Sequence, residues 1–444
     1  MDEPREIALN VLNRVEDGAW ASELLPGQLA GGDLDERDRR FVTELVNGTL
    51  RRRLQLDFLL GRLCRYPLEE LDRPVRNILR LGAYQIMHMR VPAHAACDES
   101  VRLVRRTGPR RAAGLVNAVL RNLVRLGDSP GYPDREDDPA GWIAITESHP
   151  RWIVQTWLEE MGFCETLSLC RADNEAAGVD LRVNVLRISP GEAVDRLQKR
   201  RRAEVAPCGL APHGLQYSGG GSPFSLPEYD EGLISVQSES SQLGALALGV
   251  GPGMRALDAC AGRGGKTTYL AQLMENAGEV LAADRHRFKL EVLGRECERL
   301  GVGIVRTLCA DARELPDVGS FDAVLVDAPC SGLGILRRHP DARWRKTPGL
   351  LERMPALQRQ LLDSLSSLVR LGGHLVYCTC SISRCENEGM AEWFLREHPD
   401  FVPAEFPPGF PGFPDSPGGM LQLLPHIHGT DGFFIARFRR RQEG

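Results

Sequence analysis

The sequence is poor in lysine and lacks any long apolar run. Of the 55 basic residues in the 444-residue chain, four are lysines, at positions 199, 266, 289 and 346. No stretch approaches the roughly 18 consecutive apolar residues that a membrane-spanning helix needs. The segment Met1–Glu6 is charged and starts no apolar run of the kind found in signal peptides. We therefore expect a cytoplasmic protein with no membrane partner.

Metal-binding cysteine pairs are also missing from the sequence. The twelve cysteines include one C-x-C pair, Cys378 and Cys380, and no C-x-x-C pair. This spacing predicts no metal site, and we expect the thiols to be reduced. A net charge of −5 does not by itself indicate a nucleic-acid-binding protein. The length and the 42% hydrophobic content predict a globular protein of two or three domains.

Residues 1–140 are predicted to form an all-α helical bundle, because apolar residues recur there at helical spacing. Arginine clusters at 51–53, 105–106 and 110–111 have two interpretations. Charge runs usually mean solvated helix faces, but these clusters could instead form a phosphate-binding surface. The acid-rich segment 127–141 is predicted to be a linker that ends the bundle.

Residues 142–235 are predicted to form a small α+β subdomain. A helix is expected from Ser148 to about Met161, and the alternation over 179–185 predicts a strand with Arg182 and Asn184 on one face. A second helix is predicted after Ser189, and it ends in the basic run 199–202. Such a module suits RNA binding, but it also suits a simple linker.

Residues 236–444 alternate between strands and helices, which predicts a Rossmann-like α/β fold with a mostly parallel sheet. Ligands of such sheets bind at the carboxyl ends of the strands. Asp284 and Asp327 are predicted to end two of the strands, and Asp311 follows a third. A row of carboxylates at successive strand ends predicts an adenosine-type ligand.

A glycine-rich loop follows the first of these strands. It matches neither G-x-G-x-x-G nor the phosphate-loop spacing, but its glycines let backbone approach a ligand at a helix amino terminus. Lys266 at the end of the loop is expected to contact that ligand. The predicted cofactor-binding residues are Cys260, Ala261, Gly262, Arg263, Gly264, Gly265, Lys266, Asp284, Asp311 and Asp327.

Two cysteines, Cys330 and Cys380, each follow an apolar strand, whereas Cys64, Cys97, Cys164, Cys170, Cys297 and Cys309 are expected to be small buried apolar residues. A thiol nucleophile beside an adenosine cofactor predicts methylation of cytosine C5. Thiolate addition at C6 makes C5 able to take a methyl group from S-adenosylmethionine. Asp327 is predicted to stabilise the adduct near N3, and the base must leave its stack. The residues alone do not decide which thiol attacks.

Several motifs resemble a known family over nearly the whole chain. Asp327–Gly334, the run 338–341 with Trp344, Thr379–Ser381 and Glu386–Glu388 resemble the RNA cytosine-C5 methyltransferases with two active-site cysteines, specifically the bacterial Sun/Fmu (RsmB) type. The runs 38–42, 79–85 and 114–121 resemble that family's helical domain, which is related to the antitermination factor NusB. His149–Trp152 and Leu181–Asn184 resemble its connecting RNA-binding segment.

The resemblance implies three domains: a NusB-like helical domain at 1–140, an α+β RNA-binding subdomain at 142–235 and an S-adenosylmethionine-dependent methyltransferase domain at 236–444. It implies methylation of one cytosine of 16S ribosomal RNA, either free or in an early small-subunit particle. Because the sequence has no coiled-coil heptads, we expect a monomer. It also implies that Cys380 is the nucleophile and that Cys330 assists product release.

One departure from the family concerns the cofactor loop, where Gly262 and Arg263 replace an alanine and a proline. Loss of the proline should loosen the loop, and Arg263 adds charge beside the cofactor. Two alternatives stay open, of which the altered loop supports only the first. One is a non-catalytic RNA-binding assembly or antitermination factor with a degenerate methyltransferase half. The other keeps the chemistry but acts on transfer RNA.

Overall fold

The computed structural model describes residues 3–30, 34–127, 131–199, 203–219, 221–413 and 417–442. The chain divides into two compact units. The helical unit comprises Met1–Ala176 and Leu336–Lys346, and the sheet unit comprises Ala177–Ile335 and Thr347–Gly444. The predicted bounds of the three domains differ from this two-way division and stay a prediction.

The helical unit forms because apolar residues at three- and four-residue spacing give each helix one buried face. Its core includes Leu45, Leu56, Ile78 and Leu120, all fully buried. The helices are α1 Glu3–Glu16, α2 Ala21–Ala30, α3 Glu36–Arg51, α4 Arg53–Leu63, α5 Arg73–His88, α6 Ala93–Thr107, α7 Ala113–Leu126, α8 Pro139–Thr146 and α9 Arg151–Ala172.

Helix α9 consists of two helical runs. The first begins at Arg151 and ends just before Gly162, which agrees with the end predicted near Met161. Gly162 separates the runs with a left-handed φ of 76°, which is tolerated because glycine has no Cβ. The second run, which continues to Ala172, was not predicted.

The segment 336–346 is part of the helical unit although the sequence places it inside the predicted methyltransferase region. Arg343 is fully buried and donates to the carbonyl of Ser148 at 3.0 Å and to the side-chain oxygen of Asn174 at 3.0 Å. The Trp344 indole donates to the Leu50 carbonyl at 2.7 Å. The matched motif residues here therefore complete the packing of the helical unit.

The sheet unit contains a small antiparallel sheet in the order β2-β3-β1-β4. The strand and helix predicted in this region are present, and three short strands that were not predicted join them. The elements are β1 Val179–Val183, α10 Pro190–Gln198, β2 Glu204–Pro207, β3 Gly214–Ser218, α11 Pro227–Asp230, β4 Ile234–Val236 and α12 Glu239–Leu246.

The larger sheet runs in the order β10-β12-β9-β8-β5-β6-β7, with β11 beside β12. Strands β5 to β9 are mutually parallel and β12 is antiparallel to β9. The elements are β5 Arg255–Asp258, α13 Gly265–Leu273, β6 Glu279–Asp284, α14 Arg287–Leu300, β7 Val305–Cys309, β8 Phe321–Asp327, α15 Leu350–Ser366, β9 Val369–Thr379, α16 Glu388–Glu397, β10 Phe401–Pro403, β11 Met420–Leu423, α17 Pro425–His428 and β12 Phe433–Arg440.

The strand order reverses between β5 and β8, because the chain first adds β6 and β7 on one side and then β8 and β9 on the other. A crevice opens at such a switch point, outside the carboxyl ends of the strands. Apolar side chains of β8 such as Val324 and Leu325 pack into core clusters on the two faces of the sheet. No helix in the described part of the chain is long and apolar enough to cross a membrane.

Candidate active site

The glycine-rich loop between β5 and α13 is held against the end of β6. The Gly262 amide donates to Oδ2 of Asp284 at 3.0 Å, and Gly262 adopts a φ of 57°. This left-handed conformation suits the glycine that this chain has in place of the family's alanine. Arg263 is exposed at the tip of the loop. The loop is thus anchored by a carboxylate even though the family's proline is absent.

The three predicted acids and Asp258 lie around the partly buried thiol of Cys260. Burial raises the pKa of Cys260, and the carboxylates of Asp258, Asp327, Asp284 and Asp311 raise it further. These side chains therefore lie close together, as the strand-end argument predicts. Three of these carboxylates face cations of the protein, since Asp327 pairs with Lys266, Asp311 with Arg313 and Asp284 with Lys289.

Asp258 was not among the predicted site residues, although it ends β5. Its Oδ2 accepts a hydrogen bond from Thr267 at 2.7 Å, whereas its buried Oδ1 has no partner within the described residues. Burial raises the pKa of Asp258 to about 6, although the Thr267 hydrogen bond opposes the shift. Asp258 stands inside an apolar run of the sequence. Its position at the end of a predicted strand was the one feature that could have identified it as a site residue.

Lys266 forms an ion pair with Asp327, with 2.7 Å between Nζ and Oδ2. Burial alone would lower the pKa of Lys266, but the Asp327 carboxylate outweighs it and the pKa is raised. Oδ1 of Asp327 accepts from the Cys378 thiol at 3.5 Å. Lys266 is therefore a fixed cation that holds Asp327, and its predicted contact with a ligand stays a prediction.

Cys330 and Cys380 lie beside each other, with 3.3 Å between their sulfur atoms. A hydrogen bond with Cys380 raises the pKa of Cys330, and burial and the nearby charges of Cys380 and Glu386 raise it further. Backbone bonds fix the two loops, since the Gly334 amide donates to the Cys380 carbonyl at 2.9 Å. The structure therefore brings together the two thiols that the sequence singled out.

The other cysteines only partly follow the expectation of burial. Cys97 and Cys170 are buried, and Cys64 and Cys297 are partly buried. The prediction is wrong for Cys164 and Cys309, which are exposed. Cys164 follows the break in α9, and Cys309 ends β7, the edge strand of the large sheet. Neither position gives a small thiol an apolar surrounding.

Two motif residues of the small sheet are used inside the protein. Arg182 donates to Oγ1 of Thr268 at 2.9 Å, and Asn184 donates to the carbonyl of Leu300 at 2.9 Å. Both side chains are buried. They therefore connect the small sheet to α13 and α14. Of the predicted basic run 199–202, residues 200–202 lie outside the described part of the chain.

The arginine clusters of the helical unit divide into two kinds. The cluster at 51–53 is engaged internally: Arg51 is buried, and Arg52 pairs with Glu147 at 3.3 Å. Residues 100–127 instead contain seven arginines and no acidic residue. Arg105, Arg110 and Arg111 are exposed there. A groove of about 320 Å³ lies between α6 and α7 and is lined by Asp98, Val101, Arg102, Arg105, Ala113, Gly114 and Asn117.

Comparisons with known proteins agree with this architecture. The sequence model of the 16S rRNA methyltransferase RsmB/F family matches residues 245–439. The NusB family matches residues 2–125, and the ferredoxin-like domain of RsmF/B-like methyltransferases matches residues 149–221. Together with the observed elements, these matches confirm the predicted fold class: a NusB-like helical domain, a small α+β domain and a Rossmann-like methyltransferase domain.

Whole-length relatives point the same way. The chain is 35% identical to the probable ribosomal RNA small subunit methyltransferase B of Bacillus subtilis, over 98% of each chain. It is also 35% identical to ribosomal RNA small subunit methyltransferase B of Pseudomonas syringae pv. tomato, over 98% of this chain and 96% of the relative. The crystal structure of PH0851 matches with a TM-score of 0.81 at 27% identity, over 98% of this chain and 99% of that one.

A second solved structure is similar in fold over two thirds of the chain. NSun6 from Pyrococcus horikoshii, solved with SFG, matches with a TM-score of 0.61 at 24% identity and covers 67% of this chain and 100% of that chain.

Proposed function

The chain belongs to the RsmB/F family of 16S rRNA methyltransferases, and on that premise we propose that it methylates C5 of one cytosine in 16S ribosomal RNA through a covalent thiol adduct at C6. The observation that carries the proposal is the 3.3 Å separation of the Cys330 and Cys380 sulfurs beside the carboxylates at the strand ends. Both thiols are then within reach of one base.

S-adenosylmethionine is the methyl donor of this family, and when bound it supplies an electrophilic methyl group on a cationic sulfonium. The residues present fit it. Asp284 ends β6, where a carboxylate suits ribose hydroxyls, and the buried Oδ1 of Asp258 is an acceptor without a partner among the described residues. We propose that the loop 260–266 with Asp284, Asp311 and Asp327 holds the cofactor.

In the proposed mechanism the Cys380 thiolate adds to C6 of a cytosine turned out of its stack. The C5–C6 π electrons then form a bond from C5 to the methyl group while the bond between that methyl group and the sulfonium sulfur breaks, which leaves a neutral thioether. A base removes the C5 proton, the C5–C6 double bond re-forms, and the bond between C6 and sulfur breaks to return the thiolate. We assign Asp327 to the N3 side of the base, where Lys266 keeps its carboxyl group fixed.

Cys330 is assigned to product release. Its raised pKa keeps it a neutral thiol at ordinary pH, so it can donate a hydrogen bond to the sulfur of Cys380 as that sulfur leaves C6. A neutral donor next to a departing thiolate lowers the barrier to elimination, because charge develops on that sulfur in the transition state.

We further propose that the exposed arginines of residues 100–127 bind the phosphate backbone of the RNA. Arg102 pairs with Glu99 and Arg106 with Glu6, whereas the exposed Arg105, Arg110 and Arg111 form a local basic surface in a chain whose net charge is −5. Phosphate contacts of this kind give affinity and orientation but no sequence information. We propose that the chain acts as a cytoplasmic monomer on ribosomal RNA, either free or in an early small-subunit particle.

Bisulfite mapping of ribosomal and transfer RNA tests the proposal. RNA from cells with and without the gene is compared at single-nucleotide resolution. One protected cytosine in 16S RNA that depends on the gene is the expected result. A gene-dependent site in transfer RNA would favour the other substrate, and no gene-dependent site in either RNA would favour a non-catalytic assembly factor.

A further inference from the structure

Glu386 lies where the two cysteine loops meet, and it is fully buried. Its Oε1 accepts hydrogen bonds from the Ser331 amide at 2.8 Å and from the Gln358 side chain at 3.0 Å. Its Oε2 accepts from the hydroxyl of Ser381 at 2.7 Å and also from the hydroxyl of Ser331. Four donors therefore converge on one carboxylate.

The two serines that Glu386 binds are the immediate neighbours of the two thiols. Ser331 follows Cys330, Ser381 follows Cys380, and the two hydroxyl oxygens are 3.0 Å apart. A single side chain thus joins the loop after β8 to the loop after β9. Because each serine is one residue from a thiol, any shift of either loop against Glu386 changes the distance between the sulfurs.

Other residues in turn hold Glu386 in place. The Tyr377 hydroxyl donates to the Glu386 carbonyl at 2.6 Å, and Gln358 also donates to the carbonyl of Pro329 at 3.0 Å. The next residue, Asn387, accepts from the Thr379 hydroxyl at 2.7 Å and donates to the Ser381 carbonyl at 3.0 Å. The loop 383–387 is therefore a rigid support rather than a passive connection.

We propose that Glu386 is a positioning residue that sets the separation of the Cys330 and Cys380 sulfurs by binding Ser331 and Ser381 with one carboxylate. This inference rests on the proposed two-thiol mechanism. Glutamine has nearly the same shape, but its amide nitrogen cannot accept a hydrogen bond. In Glu386→Gln, the hydrogen bonds accepted by one of the two carboxylate oxygens are lost, while the volume of the side chain is kept.

The charge of Glu386 supports the same role. After the hydrogen bond with Cys380 and burial, the negative charge of Glu386 helps to raise the pKa of Cys330. The carboxylate therefore favours a neutral Cys330 thiol, which can donate to its partner sulfur.

The test measures methyl transfer to ribosomal RNA by wild type, Glu386→Gln and a matched control, Glu388→Gln. Glu388 is a half-buried acid of the same motif, and in the described structure neither serine is its hydrogen-bond partner. We expect kcat to fall about 100-fold in Glu386→Gln, as for a misplacement near 1 Å. KM for RNA and the Kd of S-adenosylmethionine should stay within about twofold, because the cofactor loop is untouched.

A double-mutant cycle separates positioning from a general structural role. Release of the methylated RNA from the protein in a single turnover is measured for Glu386→Gln with and without Cys330→Ala. Because part of the effect acts through Cys330, which assists release, we expect Glu386→Gln to slow release about 100-fold with the cysteine present and about tenfold in the Cys330→Ala background. Equal slowing in both backgrounds would overturn the inference.

Serine variants cover the case in which Glu386→Gln does not fold. Ser331→Ala and Ser381→Ala keep the carboxylate, and each removes one hydroxyl that donates a hydrogen bond to it. Each variant should therefore lower kcat about tenfold. If both variants stayed within about twofold of wild type, Glu386 would not position the thiols. If wild type itself methylated no cytosine, the proposed function would fail. If wild type were active and Glu386→Gln were equally active, the proposed function would stand and the positioning role of Glu386 would fail.

Discussion

Asp327 and Cys378 are register partners at the ends of the adjacent parallel strands β8 and β9. Parallel pairing in this register makes the two strands end at the same edge of the sheet. The chain then needs three residues from Asp327 and two from Cys378 to reach the thiols of Cys330 and Cys380. The two motifs therefore have a similar spacing between strand end and thiol because their strands are paired in this register.

Replacement of Cys380 should abolish methyl transfer. Without its thiol no bond to C6 forms, and C5 stays a poor nucleophile. We expect Cys380→Ala to lose at least about 1,000-fold in kcat while it binds S-adenosylmethionine like wild type. Transfer of a labelled methyl group to 16S RNA measures this. Full activity would disprove the assignment of the nucleophile, and the exposed Cys309 gives a control, since Cys309→Ala should be as active as wild type.

Replacement of Cys330 should instead leave RNA attached to the protein. If the Cys330 thiol assists departure of the Cys380 sulfur, Cys330→Ala still forms the adduct and adds the methyl group, but releases the product slowly. A denaturing gel after incubation with RNA should show a cross-linked band that Cys380→Ala and the double variant lack. Absence of the band in Cys330→Ala, with normal turnover, would show that Cys330 has no part in release.

The sequence was most informative where an acidic residue or a cysteine stands at or just after the end of an apolar strand. Asp284, Asp327, Cys330 and Cys380 could be predicted as neighbours because the carboxyl ends of parallel strands share one edge of a sheet. Asp258 ends a strand in the same way and was passed over, because it stands inside an apolar run. The pattern of apolar strands in the sequence therefore predicted where the site lies, but it did not predict every side chain in the site.

Features made by distant contacts could not be predicted. Glu386 belongs to a motif that the sequence shows, but its role depends on Gln358 of α15 and on serines of two loops. The segment around Arg343 packs within the helical unit, although its place in the sequence suggests the methyltransferase region. The strands β2 to β4 have three to five residues, too few to show a period.

The buried Asp258 should make stability depend on pH with a known sign. Its pKa is raised from 3.8 to about 6 in the folded protein. Between about pH 4 and 6 the folded state therefore holds more protons, and stability falls as pH rises through this window, by about 3 kcal/mol. Urea unfolding at pH 4 and pH 7 should show that Asp258→Asn is about equal to wild type at pH 4 and more stable at pH 7.

Asp311, whose pKa is lowered rather than raised, provides a control for the Asp258 experiment. The hydrogen bond from Arg313 lowers the pKa of Asp311 to about 2, so its stabilising effect is present above pH 4 and is lost as pH falls through about 2. Asp311→Asn should accordingly be less stable than wild type at pH 7. Destabilisation by Asp258→Asn at pH 7 would mean that its carboxylate is stabilised as an anion in the folded protein.

Arg263 should weaken binding of the cationic cofactor. It is exposed on the loop that carries the predicted cofactor residues, and like charges in water repel weakly at such sites. In calorimetric titration at low salt we expect Arg263→Ala to bind S-adenosylmethionine about two- to threefold more tightly, and to bind the uncharged product S-adenosylhomocysteine like wild type. Equal gains for both ligands would indicate a steric effect. Failure of wild type to bind either ligand would favour the non-catalytic alternative.

The basic surface of α6 and α7 should govern the salt dependence of RNA binding. Each arginine that contacts a phosphate releases counterions, so the triple variant Arg105→Gln, Arg110→Gln and Arg111→Gln should lower the slope of log K against log salt by about two to three. Affinity should fall uniformly for RNAs of different sequence, because phosphate contacts carry no sequence information. Arg40→Gln is the control, since this exposed arginine of α3 already pairs with Glu36. An unchanged slope in the triple variant would place the RNA on another surface, and the interpretation of this cluster as a solvated helix face would then hold.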